Sequence, residues 1–216
     1  MKRTILLLPL MLALTACDPM QEQACADGTA LYKAKQYDLA LPLLTKAAEV
    51  GNSGAQYLLA RCYDFGEGTK KDMKKAVEFY TAAADAGNAE AQNSLGSCYA
   101  TGDGVKKDLH RAFLLYNQSA AQNNASAFNN LGLCYLNGQG VEVNKNKAAK
   151  CFHQAALLGN DNGQYNFGRC FFHGIGVPVD LDQARFWIAR AAAQNHKNAI
   201  GFMEDNDWAP LPTQQQ

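Results

Sequence analysis

Cysteines are the residues of this chain with the widest range of chemistry, because thiolates act as nucleophiles, bind metals and form disulfides. The 216 residues include seven cysteines. Four of them follow one another at a constant spacing of 36 residues: Cys62, Cys98, Cys134 and Cys170. Paired spacings such as Cys-x-x-Cys are absent, and the histidines are scattered at His110, His153, His173 and His196. The sequence therefore predicts no metal site and no cofactor.

The spacing of the cysteines restricts which of them can form disulfides. Equivalent residues of a regular repeat lie on neighbouring helices about 8–10 Å apart, whereas a disulfide needs Cα atoms within about 7 Å. Successive members of the series are therefore expected to be small apolar core residues rather than bonded pairs. Other disulfides are possible in an oxidising compartment: Cys151 could pair with Cys134 or Cys170, and Cys25 could pair with Cys62.

Sequence motifs typical of catalysis are missing. Ser94 lies in Gln-Asn-Ser-Leu-Gly, which lacks the first glycine of the serine hydrolase motif Gly-x-Ser-x-Gly. Ser-x-x-Lys, His-Glu-x-x-His and the phosphate-binding P-loop do not occur. The chain is not expected to be an enzyme, unless chemistry is assembled across repeats in a way that a motif search does not detect.

The first 16 residues have the pattern of a secretion signal, with Lys2 and Arg3 before the apolar run 5–14. That run is roughly half of the about 20 residues that a membrane-spanning helix needs. The sequence Leu14-Thr15-Ala16-Cys17 resembles the lipobox of bacterial lipoproteins, in which signal peptidase II cleaves before the cysteine and the cysteine is lipidated. We therefore expect residues 1–16 to be removed and Cys17 to carry lipid.

The expected lipid places the protein on the periplasmic face of a bacterial membrane, with residues 17–21 as anchor and tether. Asp18 resembles the signal that retains enterobacterial lipoproteins in the inner membrane, and in other bacteria the outer membrane is the alternative. Removing Lys2 and Arg3 from the 20 basic and 20 acidic residues leaves a net charge of about −2. This composition predicts no basic patch, and so no nucleic-acid partner.

The constant spacing of the cysteines extends to whole segments, because residues 55–198 divide into four blocks of 36 residues. A fixed period in this range indicates stacked supersecondary units. Each block has an apolar helix A pattern, ending at a Gly-x-Gly pair, and a helix B pattern rich in alanine. Predicted N-caps are Asn52, Asn88, Asn124 and Asn160 for helix A and Asp72, Asp108, Asn144 and Asp180 for helix B. Predicted C-terminal residues of helix B are Gly51, Gly87, Asn123, Gly159 and Asn195.

Segments outside the blocks follow the period less closely. Residues 22–54 keep the alanines of helix B but lack the Gly-x-Gly loop, so they are expected to form a degenerate first helix pair. Residues 199–207 begin another helix A and are expected to cap the stack. The tail 208–216 has no periodicity and is expected to be disordered.

The motif Leu-Gly-x-Cys-Tyr-x-x-Gly-x-Gly-Val-x-x-Asp-x-x-x-Ala, followed by an alanine pair, is similar to the Sel1-like repeat, a relative of the tetratricopeptide repeat. The resemblance implies an all-α, right-handed αα solenoid with helix A on its concave side. It also implies an adaptor role without catalytic residues. Some cysteine-rich relatives are described as binding or slowly hydrolysing β-lactams, so a β-lactam- or peptidoglycan-acting protein is kept as an alternative.

Partner-binding residues are expected at the helix A positions that vary between blocks. Amide side chains at successive helices can bond to an extended peptide, and an arginine can hold a carboxylate through its bidentate fork. The candidates are Tyr57, Arg61, Asn93, Asn129, Asn130, Tyr165, Asn166 and Arg169. The alternative is that these side chains only solvate the groove or bond neighbouring helices to each other. The favoured function is a monomeric, lipid-anchored scaffold for a protein or peptide, and a second hypothesis is an immunity lipoprotein that neutralises a delivered toxin such as a lipase.

Overall fold

A computed structural model describes residues 19–208 of the chain, so the expected signal peptide, Cys17 and the tail from residue 209 lie outside the described residues. The described part is all-helical. Its helices are α1 (Pro19–Lys33), α2 (Tyr37–Glu49), α3 (Ser53–Phe65), α4 (Met73–Asp85), α5 (Ala89–Thr101), α6 (Leu109–Ala120), α7 (Ala125–Asn137), α8 (Lys145–Leu157), α9 (Asp161–His173), α10 (Leu181–Ala193) and α11 (Lys197–Asp205). Within residues 19–208, none of these helices combines the length and apolar character that a bilayer span requires.

Each helix packs against the next one in the chain, which produces the predicted solenoid of helix pairs. The odd-numbered helices are the A helices and the even-numbered ones are the B helices. The A helices also contact one another across repeats, as α1 does with α3 and α7 with α9. Their shared surface, called the A-helix face below, therefore forms one continuous side of the stack.

Local capping sets the helix boundaries in the way that the sequence predicts. The Asn88 side chain accepts from the backbone N–H of Ala91, and the equivalent asparagines cap the other repeats in the same way. The Asp72 carboxylate accepts from the N–H groups of Lys74 and Lys75. Each such cap is worth about 1 kcal/mol. Helix α1 begins at Pro19, inside the stretch expected to be a tether, because proline suits the first turn of a helix.

Close packing between the two helices of a repeat depends on a small residue in helix A. A Cβ on Gly132 would lie 2.5 Å from Cε1 of Phe152, a distance that real Cβ contacts do not reach. Gly96 and Gly168 have equally close neighbours in Tyr116 and Ile188. The large side chains of helix B are therefore buried directly against the backbone of helix A.

The two long edges of the stack are packed differently. At the AB edge, formed by the loops from helix A to helix B, a Cβ on the second glycine of each loop would collide with the backbone of the preceding helix B, as at Gly104 with the Met73 carbonyl. At the BA edge, formed by the turns from helix B to the next helix A, a Cβ on Gly51, Gly87 or Gly159 would meet no atom within 4 Å. The second glycines of the AB loops are therefore packed against backbone, whereas these three turn glycines face free space.

Buried glutamines connect three successive helices near the BA edge. Gln92 donates to the Ala84 carbonyl of α4 at 3.2 Å and accepts from Gln122, in the turn after α6, at 2.8 Å. Gln164 makes the same two bonds, to Ala156 and from Gln194. The repeat pattern alone does not predict this network.

Gln56 is the exception in this network. Its amide donates to the Ala48 carbonyl at 3.3 Å, but its buried Oε1 atom has no hydrogen-bond partner among the described residues. One period before Gln122 the chain has Ala86, which cannot donate.

Candidate functional site

A cleft of about 330 Å³ opens on the A-helix face between α3 and α5. Tyr57, Arg61 and Asn93, three of the predicted binding residues, line it together. Residues 57, 61 and 64 of α3 are spaced by four and three residues and so share one side of the helix. The cleft is the largest gathering of the predicted residues in the described part of the chain.

Arg61 is held in place before any ligand binds. Its guanidinium lies 5.6 Å from the ring centroid of Tyr32 and 5.4 Å from that of Phe65. Tyr57 lies one helical turn before Arg61, and its ring packs 6.1 Å from that of Tyr80. A half-buried arginine between aromatic rings loses little side-chain freedom when it binds a carboxylate.

The other end of the cleft is acidic, which the sequence analysis missed. Asp64 accepts from the Tyr80 hydroxyl at 3.1 Å and lies 4.0 Å from Lys71. Asp103 accepts from Thr101 at 2.8 Å. The sequence does indicate that position 64 could bind a partner, because it varies between blocks: Asp64, Ala100, Leu136 and Phe172. The cleft therefore offers one fixed cation and two carboxylates to a ligand.

The predicted asparagines bond across the A-helix face, mainly to each other. Asn130 donates to Asn93 at 2.9 Å, and Asn166 donates to Asn129 at 2.8 Å. Asn129 is only 8% exposed, whereas its equivalent Asn93 is half-buried. The assignment of Asn129 as a partner-binding residue stays a prediction. Asn93, Asn130 and Asn166 remain half-buried at the surface.

Tyr165 and Arg169 lie on α9, away from the cleft. The Arg169 guanidinium is exposed and lies 5.7 Å from the Tyr165 ring centroid. That ring packs 4.8 Å from the ring of His196 and 6.3 Å from that of Phe202. The pair repeats the Tyr57–Arg61 register three periods later, since each pair has a spacing of four residues in helix A.

The cysteine series lies in the core, as predicted. Cys62, Cys98, Cys134 and Cys170 are at most 5% exposed. Burial raises the pKa of the Cys98 thiol to about 11, with a further contribution from Asp64 and Asp103. Burial likewise raises the pKa of Cys62, Cys134, Cys151 and Cys170 to about 11. At neutral pH these groups are thiols rather than reactive thiolates.

All six cysteines of the described residues are free thiols in the structure. Cys25 packs against the cluster that contains Cys62, and Cys151 against the one that contains Cys134. The predicted disulfides are therefore not formed here. Cys25 and Cys62, and Cys151 and Cys134, share clusters, whereas Cys170 belongs to a cluster that does not include Cys151.

No group of three or more His, Cys, Asp or Glu side chains capable of holding a metal occurs within residues 19–208. In the cleft, the Ser97 hydroxyl donates to the Asn93 carbonyl at 3.2 Å and accepts from Tyr116 at 3.2 Å. These partners orient the hydroxyl but cannot activate it as a nucleophile, because neither is a general base.

The expectation that the chain has no basic patch is wrong. In the first two AB loops and the helix turns that follow them, segments 66–75 and 102–111, exposed cations gather at the AB edge. They are Lys70, Lys71, Lys74, Lys75, Lys106, Lys107 and Arg111. The total charge did not reveal this row, because the repeat period stacks equivalent residues at one edge whatever the charge elsewhere.

The stacked helix pairs, their caps and their close glycine contacts define a helical repeat protein. The model of the Sel1 repeat matches residues 53–88, 89–124, 125–160 and 162–196. The chain belongs to the Sel1 repeat family. Proteins with this type of repeat are generally noncatalytic scaffolds and typically mediate protein–protein interactions.

Two solved structures are similar to this one. A Sel1 repeat protein from Oxalobacter formigenes has a TM-score of 0.77 and 31% identity, over 84% of this chain and 72% of that chain. A protective antigen of uropathogenic Escherichia coli strains has a TM-score of 0.74 and 30% identity, over 89% of this chain and 43% of that one. Comparison with curated proteins found no match.

Proposed function

We propose that the protein is a lipid-anchored periplasmic scaffold that binds an extended segment of a partner protein along its A-helix face. The observation that carries the proposal is the arrangement of two Tyr–Arg pairs in the same register, Tyr57–Arg61 on α3 and Tyr165–Arg169 on α9. Between them lie the amides of α5 and α7. Aromatic rings and arginines are the side chains that contribute most to protein interfaces.

The distance between the two pairs suits a short peptide. Three steps between A helices, at about 8–10 Å each, separate α3 from α9 by roughly 24–30 Å. An extended chain rises about 3.3 Å per residue, so about seven to nine residues would connect the pairs. Each asparagine pair uses one amide donor and one acceptor internally. The Asn93 amide and the Asn130 carbonyl oxygen are then left to bond the backbone of such a segment.

The membrane part of the proposal rests on the sequence motif that ends at Cys17. Cleavage before Cys17 and lipidation would place the solenoid on the periplasmic side, at the inner membrane of an enterobacterium or at the outer membrane of another host. Metabolic labelling with a fatty acid tests this step. Label is expected on the wild-type chain and not on Cys17→Ser, and equal labelling of both would refute the anchor.

The partner-binding step is tested by affinity capture from envelope extracts, followed by titration of the captured protein. Arg61→Ala and Arg169→Ala should each weaken binding by about tenfold, the cost of losing a charge-assisted contact of about 1.5 kcal/mol. Arg190→Ala is the matched control, since this exposed arginine also lies over aromatic rings but belongs to α10, a B helix. Unchanged affinity in the Arg61/Arg169 double variant, with an unchanged melting temperature, would rule out the A-helix face.

The same capture separates the two alternative functions. An immunity protein should recover a toxin, such as a lipase, whose activity falls on binding. A β-lactam- or peptidoglycan-acting protein should instead bind or turn over a β-lactam reporter without any protein partner.

A further inference from the structure

Charge is distributed unevenly along the AB edge. Four equivalent positions of each repeat lie on this edge. In the first repeat they hold Lys70, Lys71, Lys74 and Lys75, and in the second Lys106, Lys107, His110 and Arg111. In the third repeat they hold Glu142, Val143, Asn146 and Lys147, and in the fourth Pro178, Val179, Asp182 and Gln183. The edge therefore has seven Lys and Arg residues in segments 66–75 and 102–111, two in 138–147 and none in 174–183. With the carboxylates included, the net charges of the four segments are +2, +1, +1 and −2.

The acidic residues of the same loops are engaged locally. Asp72 and Asp108 accept from backbone N–H groups of their own helices. Glu67 accepts from the Tyr32 hydroxyl at 2.5 Å, and Asp103 from Thr101 at 2.8 Å. These carboxylates reduce the net charge of the row but leave its ammonium groups at the surface.

Apart from Arg111, which donates to the Tyr99 hydroxyl at 3.2 Å, the cations have weak internal partners or none. Lys71 lies 4.0 Å from Asp64 and Arg111 lies 3.5 Å from Asp108, while Lys75 lies 5.2 Å from the Tyr63 ring centroid. Among residues 19–208, Lys70, Lys74, Lys106 and Lys107 are exposed and form no ion pair. Such side chains attract an anionic partner without having to give up an internal bond.

We infer that this basic row, the seven cations of segments 66–75 and 102–111, docks an acidic segment of a protein, separately from the A-helix face. The positive charge of the row favours an anionic partner. The distance of the row from the start of α1 favours a protein over the membrane lipid. Every A helix runs from the BA edge to the AB edge, so α1 begins at the BA edge, about 20 Å from the basic row. This orientation rests on the lipid anchor proposed above, which would place the BA edge toward the bilayer and the row toward the periplasmic space.

The experiment uses the full chain with Cys17→Ser, which removes the acylation site, so the result does not depend on lipidation or on the A-helix face. The probe is a fluorescent peptide of alternating Glu and Ser, about twelve residues long, enough to cover two loops about 10 Å apart. Binding is measured by anisotropy at low and high salt. The edge variant carries Lys→Gln at 70, 71, 106 and 107, and the control variant carries Lys→Gln at the exposed positions 33, 46, 150 and 197.

The edge variant should weaken peptide binding at least about tenfold, because modest contributions from four exposed charges add up, and binding should fall as salt rises. The control variant should weaken it less than about threefold. Equal weakening in the two variants would overturn the inference, since net charge alone would then explain binding. Absence of peptide binding would also overturn the inference. So would tighter binding of either of two other anions, vesicles of phosphatidylglycerol and phosphatidylethanolamine or a DNA duplex, than of the peptide, if that binding is lost in the edge variant.

Discussion

Replacing Ala86 by glutamine should stabilise the protein, because it supplies the donor that the buried Oε1 atom of Gln56 lacks. The equivalent residues Gln122 and Gln194 make this bond at 2.8 Å in the second and fourth repeats. The backbone already fits, since Ala86 has φ −79° and ψ 7° and Gln194 has φ −91° and ψ 15°. The new side chain can therefore reach Gln56 without strain in the turn.

The expected magnitude follows from two opposing terms. A buried acceptor without a partner costs about 1–3 kcal/mol, which the new bond would recover. Fixing an exposed glutamine side chain costs up to about 1.5–2 kcal/mol. These terms largely cancel, and measured net values for a protein hydrogen bond are about 0.5–1.5 kcal/mol. A gain of about 0.5–1 kcal/mol is therefore expected, equivalent to roughly 1–4 °C in melting temperature for a domain of this size.

Urea titration and calorimetry measure the gain, and two variants isolate its cause. Ala86→Leu adds volume at the same backbone angles but cannot donate, so it should give no gain. Gln122→Ala leaves Gln92 without a donor, as Gln56 is now, and should cost about the same 0.5–1 kcal/mol. If Ala86→Gln does not exceed Ala86→Leu, or if Gln122→Ala is neutral, the glutamine bond does not stabilise the repeat.

Three further perturbations test the core. Gly132→Ala should destabilise by about 1–3 kcal/mol, measured by urea unfolding, because Phe152 must move away from the new methyl group; Gly201→Ala, with no atom within 4 Å, is its control. Cys98→Ser should lower stability by about 1–3 kcal/mol because it buries a hydroxyl, and an unchanged melting curve would show that the site is not apolar. The raised pKa of the core thiols, about 11 against 9.0 for an unperturbed thiol, means that the unfolded chain loses these protons first. The urea midpoint should therefore fall as pH rises from about 9 to 11, and less steeply in Cys98→Ala; a flat profile would contradict the burial argument.

Features set by neighbours along the chain could be predicted from the sequence. Asn88 and Asp72 cap their helices through bonds to residues two or three positions away, so residue type and position suffice. The alanine and glycine positions likewise identified the contacting faces of the helices.

Features set by distant residues could not be predicted. The periodicity identifies equivalent positions but does not show that Asn129 is buried while its equivalent Asn93 is half-buried. It also does not show that Asn93 and Asn130 bond each other across 37 residues, or that the lysines of two loops join into one row. These depend on how far each helix is rotated in the stack.

The unequal packing of the two edges determines how the stack can bend. The backbone of each AB loop touches the preceding helix B, as at Gly104 and Met73, so that edge acts as a hinge line of nearly constant length. A side chain at Gly51, Gly87 or Gly159 would find free space, but the bonds of Gln122 and Gln194 join neighbouring helix pairs near that edge. Neighbouring pairs should therefore separate most easily at the first repeat, where Gln56 lacks this bond, and amide hydrogen exchange should be faster there than in the AB loops.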